Sequence, residues 1–142
     1  MAAILEVLGG RKAVPRQPGS VREWVESIQA GLPVASALAF KDALHLTNEE
    51  LAGLLGLSAR TLLRWIPGKS KLDLASGDRL VRSARLFTIA SDVLEDDAAA
   101  VDWLRSAQKA LGDAVPLELA ATDVGARAVE TLLGRMEHGV YT

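Results

Sequence analysis

Four cations, Arg60, Arg64, Lys69 and Lys71, lie close together near the middle of the chain. Arg60 and Arg64 are four residues apart, the spacing that places two side chains on one face of a helix. A guanidinium fork matches the paired acceptors of guanine in a DNA major groove, and an ammonium neutralises phosphate. Between Leu57 and Arg85 there are seven basic residues and two acids, a local charge of +5 in a chain whose net charge is −2. A basic middle in an otherwise acidic chain is the charge pattern of a phosphate-contacting patch. Arg79, Arg82 and Arg85, at i, i+3 and i+6, are expected to share a broad face near it. The alternative is a solvated helix face with no partner.

Other residue types that carry chemistry are sparse or badly placed. There is no cysteine, so a disulfide framework, a thiol nucleophile and a zinc finger are all excluded. His45 and His138 are the two histidines and are far apart. His45 falls at a helix end and reads as a cap or a solvated residue. His138 adjoins Glu137, but neighbouring residues of a helix cannot both point at one ion. Asp96 and Asp97 read as helix-start charges rather than an acid/base pair. Ser58 and Ser70 lack a nearby base. No catalytic residue, metal site or cofactor is expected, and the chain is not expected to be an enzyme.

The cations need a scaffold, and the pattern from Thr47 to Ile66 supplies one: a helix-turn-helix. Thr47 and Glu50 form a capping box, and Leu51, Leu54 and Leu55 an apolar face. Ala52 is small where a second helix must cross. Gly56 suits the left-handed turn that ends the first helix, and Ser58 caps the second. Leu62, Trp65 and Ile66 are expected inside, with Ala59, Arg60, Thr61 and Arg64 facing outward. The N-terminal residues of such a second helix meet base edges. Ser58, Ala59, Arg60, Thr61, Arg64, Lys69 and Lys71 are therefore the expected DNA-contacting set. A plain helical hairpin with solvated arginines is the competing reading.

Hydrophobic residues make up 49% of the chain and aromatics 4%, with Ala and Leu dominant, which favours helices over strands. The expected class is all-α: a helix-turn-helix-containing helical bundle followed by a small helical domain. No apolar run approaches a membrane span and no signal peptide is evident, so a cytoplasmic location is expected. Residues 1–19 read as an N-terminal arm or linker, with an apolar cluster at Ile4, Leu5, Val7 and Leu8 and breakers from Gly9 to Gly19. A helix capped by Ser20 follows, with Val21, Trp24, Val25 and Ile28 expected inward. Another helix runs from Pro33 to about Leu44. A long helix, about Ala75 to Leu94, closes a domain of residues 20–94. Residues 95–142 form the last domain: a helix over about Ala98 to Ala110, a turn at Pro116-Leu117-Glu118-Leu119, and a Thr122-capped helix over Asp123 to Glu137. Its expected stripe is Val124, Ala128, Val129, Leu132, Leu133 and Met136. Trp24, Trp65 and Trp103 read as core anchors, with an exposed place at an interface as the alternative for Trp103.

The order of motifs in this last part carries a resemblance. Ala100-Val101-Asp102-Trp103-Leu104, then Ala110-Leu111-Gly112-Asp113-Ala114-Val115-Pro116-Leu117-Glu118-Leu119, then Thr122-Asp123-Val124-Gly125-Ala126, then Val129 to Leu133, then Arg135-Met136-Glu137-His138-Gly139-Val140-Tyr141 resembles the Xre/ParS-type antitoxins that partner RES-domain toxins. The likeness spans about residues 20 to 142. It implies a homodimer that binds a RES-domain toxin acting on NAD, covers its active-site entrance with the C-terminal domain and chain end, and represses its own operon by binding operator DNA. The implied toxin-binding residues are Arg135, Glu137, His138, Gly139, Val140, Tyr141 and Thr142. Physically, Gly139 would let the backbone approach a concave site, Val140 and Tyr141 would supply apolar area, and Glu137 with the terminal carboxylate would pair with basic groups that hold phosphates. A frayed tail is the alternative for this segment. The stretch Ile66 to Lys71 is thinner in charge than in several members of the family, which lowers the expected strength of DNA binding. Two other functions stay open on the residues alone: a stand-alone helix-turn-helix repressor, and a helical adaptor.

Overall fold

A computed structural model of the chain describes residues 2–14, 17–66 and 70–139. Among these residues the structure is helical, with two isolated β-bridges and no strand. The helices are α1 (Ala2–Val7), α2 (Gly10–Ala13), α3 (Val21–Ala30), α4 (Val34–Leu44), α5 (Asn48–Leu55), α6 (Ala59–Trp65), α7 (Leu74–Leu94), α8 (Asp97–Arg105), α9 (Pro116–Leu119) and α10 (Asp123–Glu137), with a 3-10 turn at Lys109–Leu111. They form two compact units, Met1–Ala84 and Arg85–Thr142. The division falls inside α7, ten residues before the boundary expected from sequence. Local pairing accounts for this: Arg85 already bonds to Glu130 of α10, and Ser91 donates to Asp97 of α8 at 2.8 Å.

The first unit begins at the N-terminus rather than at residue 20. The expected arm is helical at Ala2–Val7 and Gly10–Ala13. Ile4, Leu5, Val7, Leu8, Ala13 and Val14 are buried, and α1 and α2 pack on α4. The apolar residues had helical spacing, but the Gly and Pro residues around them read as a linker; burial against α4 outweighed those breakers. Phe40, Leu44, Leu51, Leu55, Leu62, Leu72 and Leu80 fill the centre of the unit. Residues 32–34 and 70–72 close it with an antiparallel bridge, Leu72 N–H donating to Leu32 O at 2.7 Å and Val34 N–H to Ser70 O at 3.0 Å.

On α3 the expected inward face is only half used. Trp24 is buried and Ile28 half-buried, whereas Val21 and Val25 are exposed. The helix lies against the core along one edge of its apolar stripe. Ser20 caps it as expected, accepting from Glu23 N–H, but Glu23 reaches back to Gly19 N–H.

In the second unit α10 has the bounds expected from sequence, and Thr122 accepts from Gly125 N–H at 3.0 Å. Pro116 starts the single turn of α9, where its missing N–H costs nothing. Helix α8 stops at Arg105, earlier than expected, because Gln108 leaves the helix to bridge Ala114. Ala126, Val129 and Leu133 of α10 are buried with Leu117 and Ala120. Val124 and Ala128, expected inside, are exposed.

Candidate functional site

The helix-turn-helix is built as its sequence dictates. Thr47 accepts from Glu50 N–H at 3.1 Å while the Glu50 carboxylate accepts from Thr47 N–H at 2.9 Å, so both bonds of the capping box are made. Gly56 ends α5 at a φ of 75°, a conformation that favours glycine. Ser58 caps α6, accepting from Thr61 N–H at 3.1 Å.

A clasp from α7 fixes this turn. The Leu55 carbonyl, one of the orphan acceptors at the end of α5, accepts from the buried Ser76 hydroxyl at 3.0 Å and from Arg79 Nη1 at 3.3 Å. A guanidinium at a helix C-terminus also meets the negative end of the helix dipole. Asp73 caps α7 by accepting from Ser76 N–H at 2.9 Å. The Ser76 side chain and then its N–H hold the Asp73 carboxyl below its ordinary value, and the Arg79 charge adds to this. The spacing of Asp73 and Ser76 is a capping signal that reading from the apolar pattern missed.

This clasp changes the account of the basic patch. Arg79 serves the turn, Arg82 pairs with Asp78 at 3.1 Å, and Arg85 pairs with Glu130. Each of the three has a partner within its own unit. Along α6, Arg60 and Arg64 are exposed, and Lys71 is exposed beyond it. Ala59 and Thr61 are half-buried, and the exposed Ser58 donates its hydroxyl to Thr61 Oγ1 at 2.9 Å. Trp65 and Ile66 are half-buried rather than core. Leu63, which the sequence pattern did not single out, stands out at 52% exposure. Lys69 lies outside the described residues.

In the second unit α9 and α10 meet at Gly125. An added Cβ there would sit 2.0 Å from the Leu119 carbonyl oxygen, so only hydrogen fits at the crossing. This gives a physical reason for the Thr122-Asp123-Val124-Gly125 motif: threonine caps α10, and glycine lets it start against α9. Arg135, Glu137 and His138 are exposed at the far end. His138 is the C-cap, its N–H donating to Gly134 O at 3.2 Å. Gly139 follows at a φ of 73°, and its N–H donates to Met136 O. Gly139 thus terminates the helix, a use of glycine other than the close approach expected for it. Val140, Tyr141 and Thr142 lie outside the described residues.

The charge divides with the fold. Residues 1–84 carry eleven basic and eight acidic side chains, a net +3; residues 85–142 carry five and ten, a net −5. Among the described residues no group of three or more His, Cys, Asp or Glu side chains is placed to hold a metal ion. No helix among them is long and apolar enough to cross a membrane.

Comparison with known proteins matches both units. Residues 23–85 match the Antitoxin Xre-like helix-turn-helix domain, and residues 90–139 the Antitoxin Xre/MbcA/ParS C-terminal toxin-binding domain. The antitoxin Xre of Yersinia enterocolitica is 30% identical over 134 residues, covering 91% of this chain and 86% of that one. The chain belongs to the Xre family of antitoxins. A second antitoxin Xre, from Photorhabdus laumondii, is 27% identical over 116 residues, covering 81% of this chain and 78% of its own length. Among solved structures, a chain of the M. tuberculosis MbcT-MbcA toxin-antitoxin complex is similar with a TM-score of 0.56 and 26% identity, over 77% of this chain and 94% of that chain. This Xre-family antitoxin thus joins a helix-turn-helix to a toxin-binding domain, and its relatives are antitoxins rather than enzymes.

Proposed function

We propose that this antitoxin neutralises a RES-domain toxin that acts on NAD by covering the toxin's active-site entrance with the C-terminal unit, and that it represses its own operon through α6. The toxin-binding family match over residues 90–139, ending where α10 runs out into the chain end, carries the first half of this reading. Charge supports it. A site that binds the phosphates of NAD must present cations, and the unit offered to it has a net charge of −5. Arg135, Glu137 and His138 crown α10, and Gly139 turns the chain out of the helix towards Val140, Tyr141 and Thr142, the segment proposed to enter the site.

The test uses the purified full chain and a version ending at Met136, each titrated into a RES-domain toxin from the same source, with NAD consumption as the readout. Complete inhibition by the full chain, and binding with residual NAD turnover for the short one, is the expected result. Equal inhibition by both overturns the plug and leaves occlusion by the body of the unit.

Operator binding is proposed to use Arg60 and Arg64 on base edges and Lys69 and Lys71 on phosphates, with two protomers reading two half-sites. The open placement of Arg60, Arg64 and Lys71 and the +3 charge of the first unit support it. Arg60→Ala and Arg64→Ala should each weaken operator binding by about 1–3 kcal/mol while leaving toxin inhibition intact. Lost inhibition in Arg64→Ala at unchanged stability would contradict separate roles for the two units. The cytoplasm is the proposed location.

A further inference from the structure

The surface of α6 open to a DNA groove is narrower and less polar than its sequence suggests. Ser58 and Thr61 satisfy each other: Ser58 Oγ accepts from Thr61 N–H and donates to Thr61 Oγ1. Their hydroxyls are engaged in the cap, and Thr61 is half-buried. Leu62 is fully buried on the opposite side. The exposed side chains that remain on this helix are Arg60, Leu63 and Arg64. Single exposed leucines are common on protein surfaces. Leu63 differs in its place: it shares the open face with two guanidiniums, and 52% of it is accessible.

On the floor of a major groove, arginines match the N7 and O6 acceptors of guanine. A leucine has no hydrogen bond to offer there. The apolar group that a base edge presents is the 5-methyl of thymine, shared by 5-methylcytosine. We propose that Leu63 reads a pyrimidine 5-methyl group lying between, or next to, the guanines contacted by Arg60 and Arg64. This rests on the DNA-reading role proposed above. Residues 60 and 64 are about 6 Å apart along a helix axis, about two base-pair steps at roughly 3.4 Å each. The methyl group therefore lies within about two base pairs of those guanines.

The experiment selects duplexes bound by the full chain from two random pools, one plain and one with its cytosines methylated at C5. A thymine source gives the same enriched position in both pools; a 5-methylcytosine source appears only in the methylated one. Each thymine of the selected sequence is then replaced by uracil, which lacks the methyl group and keeps the same hydrogen-bonding edge. Where 5-methylcytosine is enriched, plain cytosine is the replacement. At one position per half-site, removing the methyl should weaken binding about fourfold, the value of one buried methylene-sized group. Leu63→Ala should bind the methylated and unmethylated duplexes equally. Arg60→Ala should weaken both and preserve their ratio, which separates a lost methyl contact from general loss of affinity. Leu63 lies outside the core, and an unchanged melting temperature checks that the variant is folded. A selected sequence with no position at which the methyl effect differs between wild type and Leu63→Ala overturns the methyl contact and leaves DNA reading in place. No enriched sequence in either pool overturns both.

Discussion

One substitution, glycine to alanine, should have opposite effects at two positions of α10. At Gly125 the added Cβ would lie 2.0 Å from the Leu119 carbonyl oxygen, 2.8 Å from its carbon and 3.1 Å from its Cα. An unstrained carbon–oxygen contact is about 3.3 Å, so the helix must retreat by roughly 1 Å. The obstacle is backbone, which cannot swing aside as a side chain would. Overpacking costs about 1–3 kcal/mol, and a rigid obstacle points to the upper end. Alanine returns about 1 kcal/mol of helix propensity, leaving a net loss of about 2 kcal/mol. At Gly134 an added Cβ would have no heavy atom of the described residues within 4 Å beyond its chain neighbours and the backbone of its own helix, so Gly134→Ala keeps the full gain of about 1 kcal/mol. A unit of this size shifts by roughly 4–8 °C per kcal/mol. Gly125→Ala should therefore melt about 10 °C lower than wild type and Gly134→Ala about 5 °C higher. Thermal and urea unfolding followed by circular dichroism would read both, with the urea slope checked for constancy. Equal responses of the two variants, or a stabilised Gly125→Ala, would refute the close crossing of α9 and α10.

Three further outcomes follow from the first unit. Thr47→Ala removes one half of a complete capping box and should cost about 1 kcal/mol in urea unfolding; no change would mean that α5 is held by its apolar face alone. Gly56→Ala should destabilise by about 1 kcal/mol or more, because φ is 75° and the new Cβ would lie 1.8 Å from Arg79 Nη1. In a double-mutant cycle, Arg79→Ala should relieve the collision and leave the backbone strain, so fully additive effects would contradict the clash. The Asp73 carboxyl is held below its ordinary value in the folded chain by its Ser76 partner, so the stability it adds is present above the usual carboxylate range, about pH 4, and is lost as pH falls through its folded value. The urea midpoints of wild type and Asp73→Asn should therefore converge on acidification from pH 6 to 3, and parallel curves would remove Asp73 from the clasp.

Local chemistry made much of this protein legible from its residues. A cap needs one side chain and a backbone N–H three residues on, and a helix stop needs a residue that tolerates positive φ. The capping box at Thr47, the caps at Ser58 and Thr122 and the stop at Gly56 therefore lie where their residues place them. The same locality gave the bounds of α10 and the all-α class. The order of the C-terminal motifs was enough to mark the family before any packing was known.

What the residues could not reveal was which groups meet across elements. Arg79, Arg82 and Arg85 read as one basic face because spacing records direction around a helix but not the neighbours on each side. The fold engages them with Leu55, Asp78 and Glu130. Val21, Val25 and Val124 look inward by period, yet stand exposed, because a helix buries only the part of its stripe that another element reaches. The N-terminal segment reads as a linker from its Gly and Pro content, and contact with α4 makes it core. By itself, then, the sequence determined the bounds of α5 and α10 and the start of α6, the family, and the two kinds of partner to look for. Tertiary structure decided which side chains remain free to meet those partners, since burial and pairing depend on residues distant in sequence.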